Sequence, residues 1–195
     1  MHRLQELLGP RPDSGAVAAQ LEALDPVRRR DECLSLQPWH LSRLFEVAKG
    51  ARTLRLGDLV PSRRAPLEPI VHDGRNTLPV FRRFAKVMAR APEGGEELWG
   101  YNRTGRLLET LVGPGYFVVR PHEVPGELAV DYRVLPRVPA PGWPPLRPNA
   151  AGLGRVVYAG TVDVLRGVTA HVSIGRASRD GRFLPAFFVL CRAAR

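Results

Sequence analysis

Thr169, His171 and Ser173 alternate with Val172 and Ile174. In a strand the three polar residues share one face. A polar face lining a cavity makes His171 the natural acid–base group near neutral pH. Ser173 is not placed to be its nucleophile, because i and i+2 side chains on one strand lie about 7 Å apart, beyond hydrogen-bond reach. A strand with one wet face gives the same alternation without any chemistry. Two carboxylates stand out in apolar surroundings: Asp131 between Val130 and Tyr132, and Asp163 between Val162 and Val164. Aspartate is uncommon in strands. Either carboxylate could serve acid–base work with His171, or pair with an arginine on the next strand; their spacing does not say whether they meet.

Aromatic residues gather in the middle of the chain. Tyr101, Asn102, Tyr116 and Tyr132, with His171 and Ser173, are the set that would line a pocket for a small, mainly apolar ligand. The same rings could equally fill a sheet core. A cup for a drug-sized ligand needs a hollow of about 300 Å³. A separate basic set, Arg75, Arg82, Arg83, Lys86 and Arg90, with Arg63 and Arg64 nearby, could track phosphates. Residues 72–76 read as a polar turn and helix cap, or as an anion site built on Arg75. No phosphate-loop pattern occurs, and Gly152 and Gly154 lack the third glycine of a dinucleotide fingerprint. His2, His40, His72, His122 and His171 are too scattered for a metal site. The expectation is no cofactor and no metal.

These side chains need elements to hold them. Asp13 and Ser14 cap a helix with the stripe Val17, Leu21 and Leu24. Asp25-Pro26 ends it and starts a second, and Gln37-Pro38 opens a third with Leu41, Leu44, Phe45 and Ala48 on one face before Gly50. Residues 51–78 are proline-interrupted, with Ile70 and Val71 as an edge-strand candidate. Residues 79–90 favour a basic helix: Phe81, Phe84, Ala85 and Met88 fall on one face and the arginines with Lys86 largely on the other, whereas a strand would put Arg82 and Lys86 on one face with Phe84 and Met88 and separate the charges badly. From residue 98 the period changes to two. Short strands are expected at 98–101, 107–112, 116–120 and 128–134, then a proline-rich excursion around Trp143 fit to cover an edge or opening. Strands follow at 155–165 (a helix over 161–168 being the alternative), 169–176 and 187–192, with Asp180-Gly181 as a hairpin turn.

The fold class is therefore α+β. A helical segment, 1–50, packs on a mainly antiparallel β unit, 51–195, of six to eight strands. The sheet curves toward a partly open barrel or cup, and the whole forms one compact unit. The 195 residues carry a net charge of +10, but lysine occurs only at 49 and 86, so the excess is arginine. An arginine-, alanine- and proline-rich composition of this kind also arises from a GC-rich genome, without an acidic partner. No apolar run reaches the ~18 residues of a membrane span. No signal peptide is evident, so Cys33 and Cys191 are expected as reduced thiols in a cytoplasmic protein. The leading function is binding of a small or apolar molecule in the cup. The alternatives are an anion or nucleic-acid binder and an enzyme using His171 with a carboxylate.

Overall fold

The computed structural model describes residues 3–79, 82–92, 96–105, 112–150 and 154–193. Five helices precede the sheet: α1 (Arg3–Leu7), α2 (Ser14–Ala23), α3 (Pro26–Ser35), α4 (Pro38–Val47) and the single turn α5 (Leu56–Leu59). Local chemistry sets their starts. Asp13 accepts from the amide of Ala16 at 2.6 Å, and Asp25 from those of Val27 and Arg28, both at 3.0 Å. Pro26 and Pro38 occupy the first helical positions, where no amide donor is needed.

Eight strands follow among the described residues: β1 (Ile70–Asn76), β2 (Arg83–Arg90), β3 (Leu98–Arg103), β4 (Phe117–Pro121), β5 (Glu127–Asp131), β6 (Thr161–Gly167), β7 (Val172–Arg179) and β8 (Arg182–Arg192). A one-turn helix α6 (Gly154–Val157) precedes β6. Each strand pairs antiparallel with the next, and β8 returns to pair with β1, closing the barrel. Closure leaves no free sheet edge.

Period-two alternation divides every strand between interior and exterior. The interior holds Ile70, Met88, Leu98, Phe117, Val119, Leu128, Val130, Leu165, Phe188 and Leu190. Three cross-strand pairs set a glycine against a phenylalanine: Gly74 opposite Phe84, Gly100 opposite Phe117, and Gly175 opposite Phe188. Each ring lies where a Cβ would stand, at 2.6, 2.4 and 2.3 Å from it respectively. Glycine is what lets these rings lie flat across the inside wall.

Outside, Val172, Ile174, Val189 and Cys191 bury against α1–α4. Arg166 fastens α4 down: it donates to the carbonyl of Phe45 at 2.8 Å and to Glu127 Oε1 at 2.7 Å. Cys33 on α3 and Cys191 on β8, from opposite ends of the chain, bring their buried thiols into hydrogen-bond contact. Leu54, Leu59 and Val60 close one end of the barrel. Among the described residues, no helix is long and apolar enough to cross a membrane.

Several expectations are corrected. The basic helix near 79–90 does not form where described: residues 83–90 are strand β2, which puts Phe84, Lys86 and Met88 inside together. Helical spacing fitted the sequence, but closure needs a strand between β1 and β3. Residues 72–76, read as a turn, lie within β1, a fully paired strand. The 161–168 helix alternative is β6 instead. Phe81 and the strand expected at 107–112, apart from Val112, lie outside the described residues.

Candidate functional site

Lys86 lies in the middle of β2, paired with His72 on β1 and Asn102 on β3, all three pointing inward. Its side chain is almost wholly buried, at 1% exposure. The ammonium donates to Asn102 Oδ1 at 3.0 Å and to the hydroxyl of Tyr132. Asp163 reaches it from the far wall, with Oδ2 at 3.5 Å from Nζ. Asn102 Nδ2 donates to the Tyr132 oxygen at 3.1 Å and to the Gly115 carbonyl at 3.2 Å, which fixes the amide's orientation.

Four rings surround the nitrogen. The centroids of Phe117, Tyr132, Phe188 and Phe84 stand 4.7, 4.9, 5.1 and 5.7 Å from Nζ. The negative ring faces offset part of the lost hydration of the cation. They do not offset all of it. Burial pushes the Lys86 amine down to about 8, with the Asp163 charge opposing the shift. Burial likewise raises the Asp163 carboxyl, against the pull of Lys86 and of the Tyr132 hydrogen bond. It raises the Tyr132 phenol well above its ordinary value, assisted by the Asp163 charge. Desolvation thus favours neutral forms throughout the cluster.

The cluster floors a cavity of about 110 Å³. The walls include Phe84, Phe188, Tyr158 and Val157, and the rim runs through Asn76, Leu78, Thr104, Thr161, Ala177 and Ala186. Asn76, Leu78, Thr104 and Thr161 lie at or just beyond strand ends, opposite the end plugged by Leu59, and Ala177 and Ala186 lie within the β7–β8 hairpin. Among the described residues, Lys86 and Asp163 are the charged side chains lining the cavity. An amine, a carboxyl, a phenol and an amide at the base of an apolar well can grip a polar group and move protons around it. Among the described residues, no three of His, Cys, Asp and Glu converge as a metal would require.

The expected site residues scatter. Asn102 and Tyr132 are in the cluster, and so is Lys86, which sequence reasoning assigned to an anion-binding face. Tyr101 and Tyr116 point outward, with ring centroids 5.1 and 6.1 Å from Trp143. The proline-rich segment therefore covers the outer wall of β2–β4 rather than the mouth. Asn149 pins it there, donating to the carbonyls of Tyr116 at 2.6 Å and Tyr132 at 2.7 Å. His171 precedes β7 at the plugged end, where Arg192 contacts its Nδ1 at 2.7 Å. Thr169 is not on a strand face with it; its hydroxyl accepts from the amides of His171 and Val172 within the turn. Ser173 points inward near His72, beside a void of about 10 Å³. Asp131 turns outward to Arg133, at 2.8 Å, so it meets neither Asp163 nor His171.

The basic face does not assemble. Arg75 donates to the Leu36 carbonyl, Arg90 to the carbonyls of Ser62 and Arg64 at 2.7 and 3.1 Å, and Lys86 is inside. Arg82 and Arg83 remain exposed.

Sequence reasoning missed Phe84, Tyr158 and Phe188, and missed that Lys86 answers Asp163. One signal was present: Lys86 alternates with Phe84 and Met88, a strand pattern with a charge on its apolar face.

The fold and site together define an antiparallel eight-stranded barrel with a polar-floored internal cup. No protein-family model matches the chain, and no curated protein and no solved structure matches it.

Proposed function

We propose that the barrel binds a small neutral molecule, with a polar head on the Lys86, Asn102, Tyr132 and Asp163 cluster and an apolar body against Phe84, Phe188, Tyr158 and Val157. The supporting observation is the position of the cluster. A buried ion pair serving stability alone has no need of an apolar well leading to it from the rim, and the Lys86–Asp163 pair lines such a well.

The size of the hollow narrows the ligand. At about 110 Å³ it falls short of the roughly 300 Å³ of drug-sized sites. A cavity of roughly 150 Å³ accommodates benzene, so the occupant here has about six heavy atoms or fewer. Its charge is constrained too: Lys86 and Asp163 already neutralise one another, so a net charge on the ligand would go uncompensated.

The test is an NMR titration with propionamide and 1-propanol. Saturable shifts at the Asn102 side-chain amide and the Lys86 ε-methylene support the reading. Shifts that never saturate, or that spread over the outer wall, contradict it.

A further inference from the structure

We propose that Lys86 is a carbonyl-capturing amine, forming a reversible imine with a small neutral aldehyde or ketone in the mouth of the barrel. This rests on the binding site proposed above and names its ligand class.

Three observations carry it. The first is the residue type. The chain has 29 Lys and Arg residues, and lysine stands only at 49 and 86. Arginine makes the better buried ion pair, with a planar fork matched to carboxylates, but it cannot be deprotonated and is no nucleophile. At the one basic position in the cavity lining among the described residues, the chain carries the amine.

The second is placement. Nζ has hydrogen-bond partners at Asn102 and Tyr132, a carboxylate at 3.5 Å, and a cavity lined by Phe84, Phe188 and Tyr158. The groups facing it are accounted for. Asp163 on β6 and Tyr132 after β5 lie at the nitrogen, and His72 on β1 is held neutral down to about 4 by burial. The amine's own ordinary value falls to about 8, which leaves free base near neutral pH.

The third is a route for the protons. The Lys86 lone pair attacks the carbonyl carbon, and the carbonyl π pair moves to oxygen. Tyr132 or protonated Asp163 supplies the proton there, giving a carbinolamine, and recovers a proton from the nitrogen. A second protonation of the hydroxyl expels water as the nitrogen lone pair forms the C=N bond. In sum, amine, aldehyde and one proton give iminium and water. Asp163 then stands beside the iminium cation. An α-keto acid fits worse, because its carboxylate would meet Asp163, and among the described residues the lining offers no cation besides Lys86.

Exposed Lys49 is an internal control within the same chain. The full-length protein is treated with propanal and cyanoborohydride at pH 7.5, and propylation at each lysine is followed by peptide mass spectrometry. The expected result is saturable labelling at Lys86, about tenfold or more faster than at Lys49. Propionamide should compete, pyruvate should label poorly, and Asp163→Asn should slow labelling. Labelling of Lys49 with Lys86 untouched, in protein that binds propionamide, overturns the imine and leaves the binding site standing. If propionamide does not bind either, both readings fall.

Discussion

Lys86 and Asp163 meet across the barrel interior, Nζ to Oδ2 at 3.5 Å, from strands β2 and β6 that are not neighbours in the sheet. Each is the other's counter-charge in a site where both are nearly inaccessible to water, at 1% and 5% exposure. The pair therefore couples opposite walls, and much of the molecule's expected behaviour follows from it.

Removing one partner strands the other. Lys86→Met leaves a buried carboxyl without its cation, at an expected cost of about 3 kcal/mol in urea unfolding. The double variant Lys86→Met/Asp163→Leu should recover most of that loss. Additive costs in the double-mutant cycle would show that the two groups do not interact.

The pH dependence has a defined sign. The folded-state value of Lys86, about 8, lies below its unfolded value of 10.5, so between these limits the unfolded chain binds more protons. Stability from this group is thus lowest below pH 8 and rises toward pH 10.5. Asp163 is raised on folding, so its contribution is greatest at low pH and declines as pH climbs through its elevated value. Tyr116, pushed up to about 12, lowers stability above pH 10. Denaturation at pH 7.5 and 9.5 should show wild type gaining on Lys86→Met; equal slopes would place the amine at its ordinary value.

Gly175 and Phe188 are matched in space. A Cβ at Gly175 would stand 2.3 Å from the Phe188 ring. Gly175→Ala is expected to cost about 1–3 kcal/mol through forced repacking. Combined with Phe188→Leu the cost should be less than additive, because the shorter side chain vacates the clash. Circular dichroism melts of the three variants decide it.

The Trp143 segment is wall cladding. Trp143→Ala should lower stability by about 2 kcal/mol, since its ring packs on Tyr101 and Tyr116. Propionamide affinity and on-rate should be unchanged. A faster on-rate in this variant would instead mean that the segment gates the mouth.

Legibility in the sequence tracked distance along the chain. Asp13, Asp25-Pro26 and Gln37-Pro38 mark helix starts through contacts within a turn, so they could be read directly. Strand alternation from residue 98 onward was likewise local, and the α+β class with a curved antiparallel sheet followed. The β2 strand was not legible, because Phe84 and Met88 satisfy a helical stripe as well as a strand face, and only pairing with β1 and β3 decides between them. Asp163 was visible as an odd carboxylate in a strand. Its partner was not, since Lys86 lies 77 positions earlier and meets it only through barrel closure. His171 misled for a related reason: Thr169 serves the turn before β7, so the alternation begins three residues before the strand does.

The most direct test of the ligand site is a crystal structure from crystals soaked in propionamide. The account predicts one molecule in the barrel mouth, its amide oxygen within hydrogen-bond distance of Lys86 Nζ and its ethyl group against Phe188 and Tyr158. A mouth filled by collapsed Phe84 and Phe188 side chains, with no density above Lys86, would contradict it.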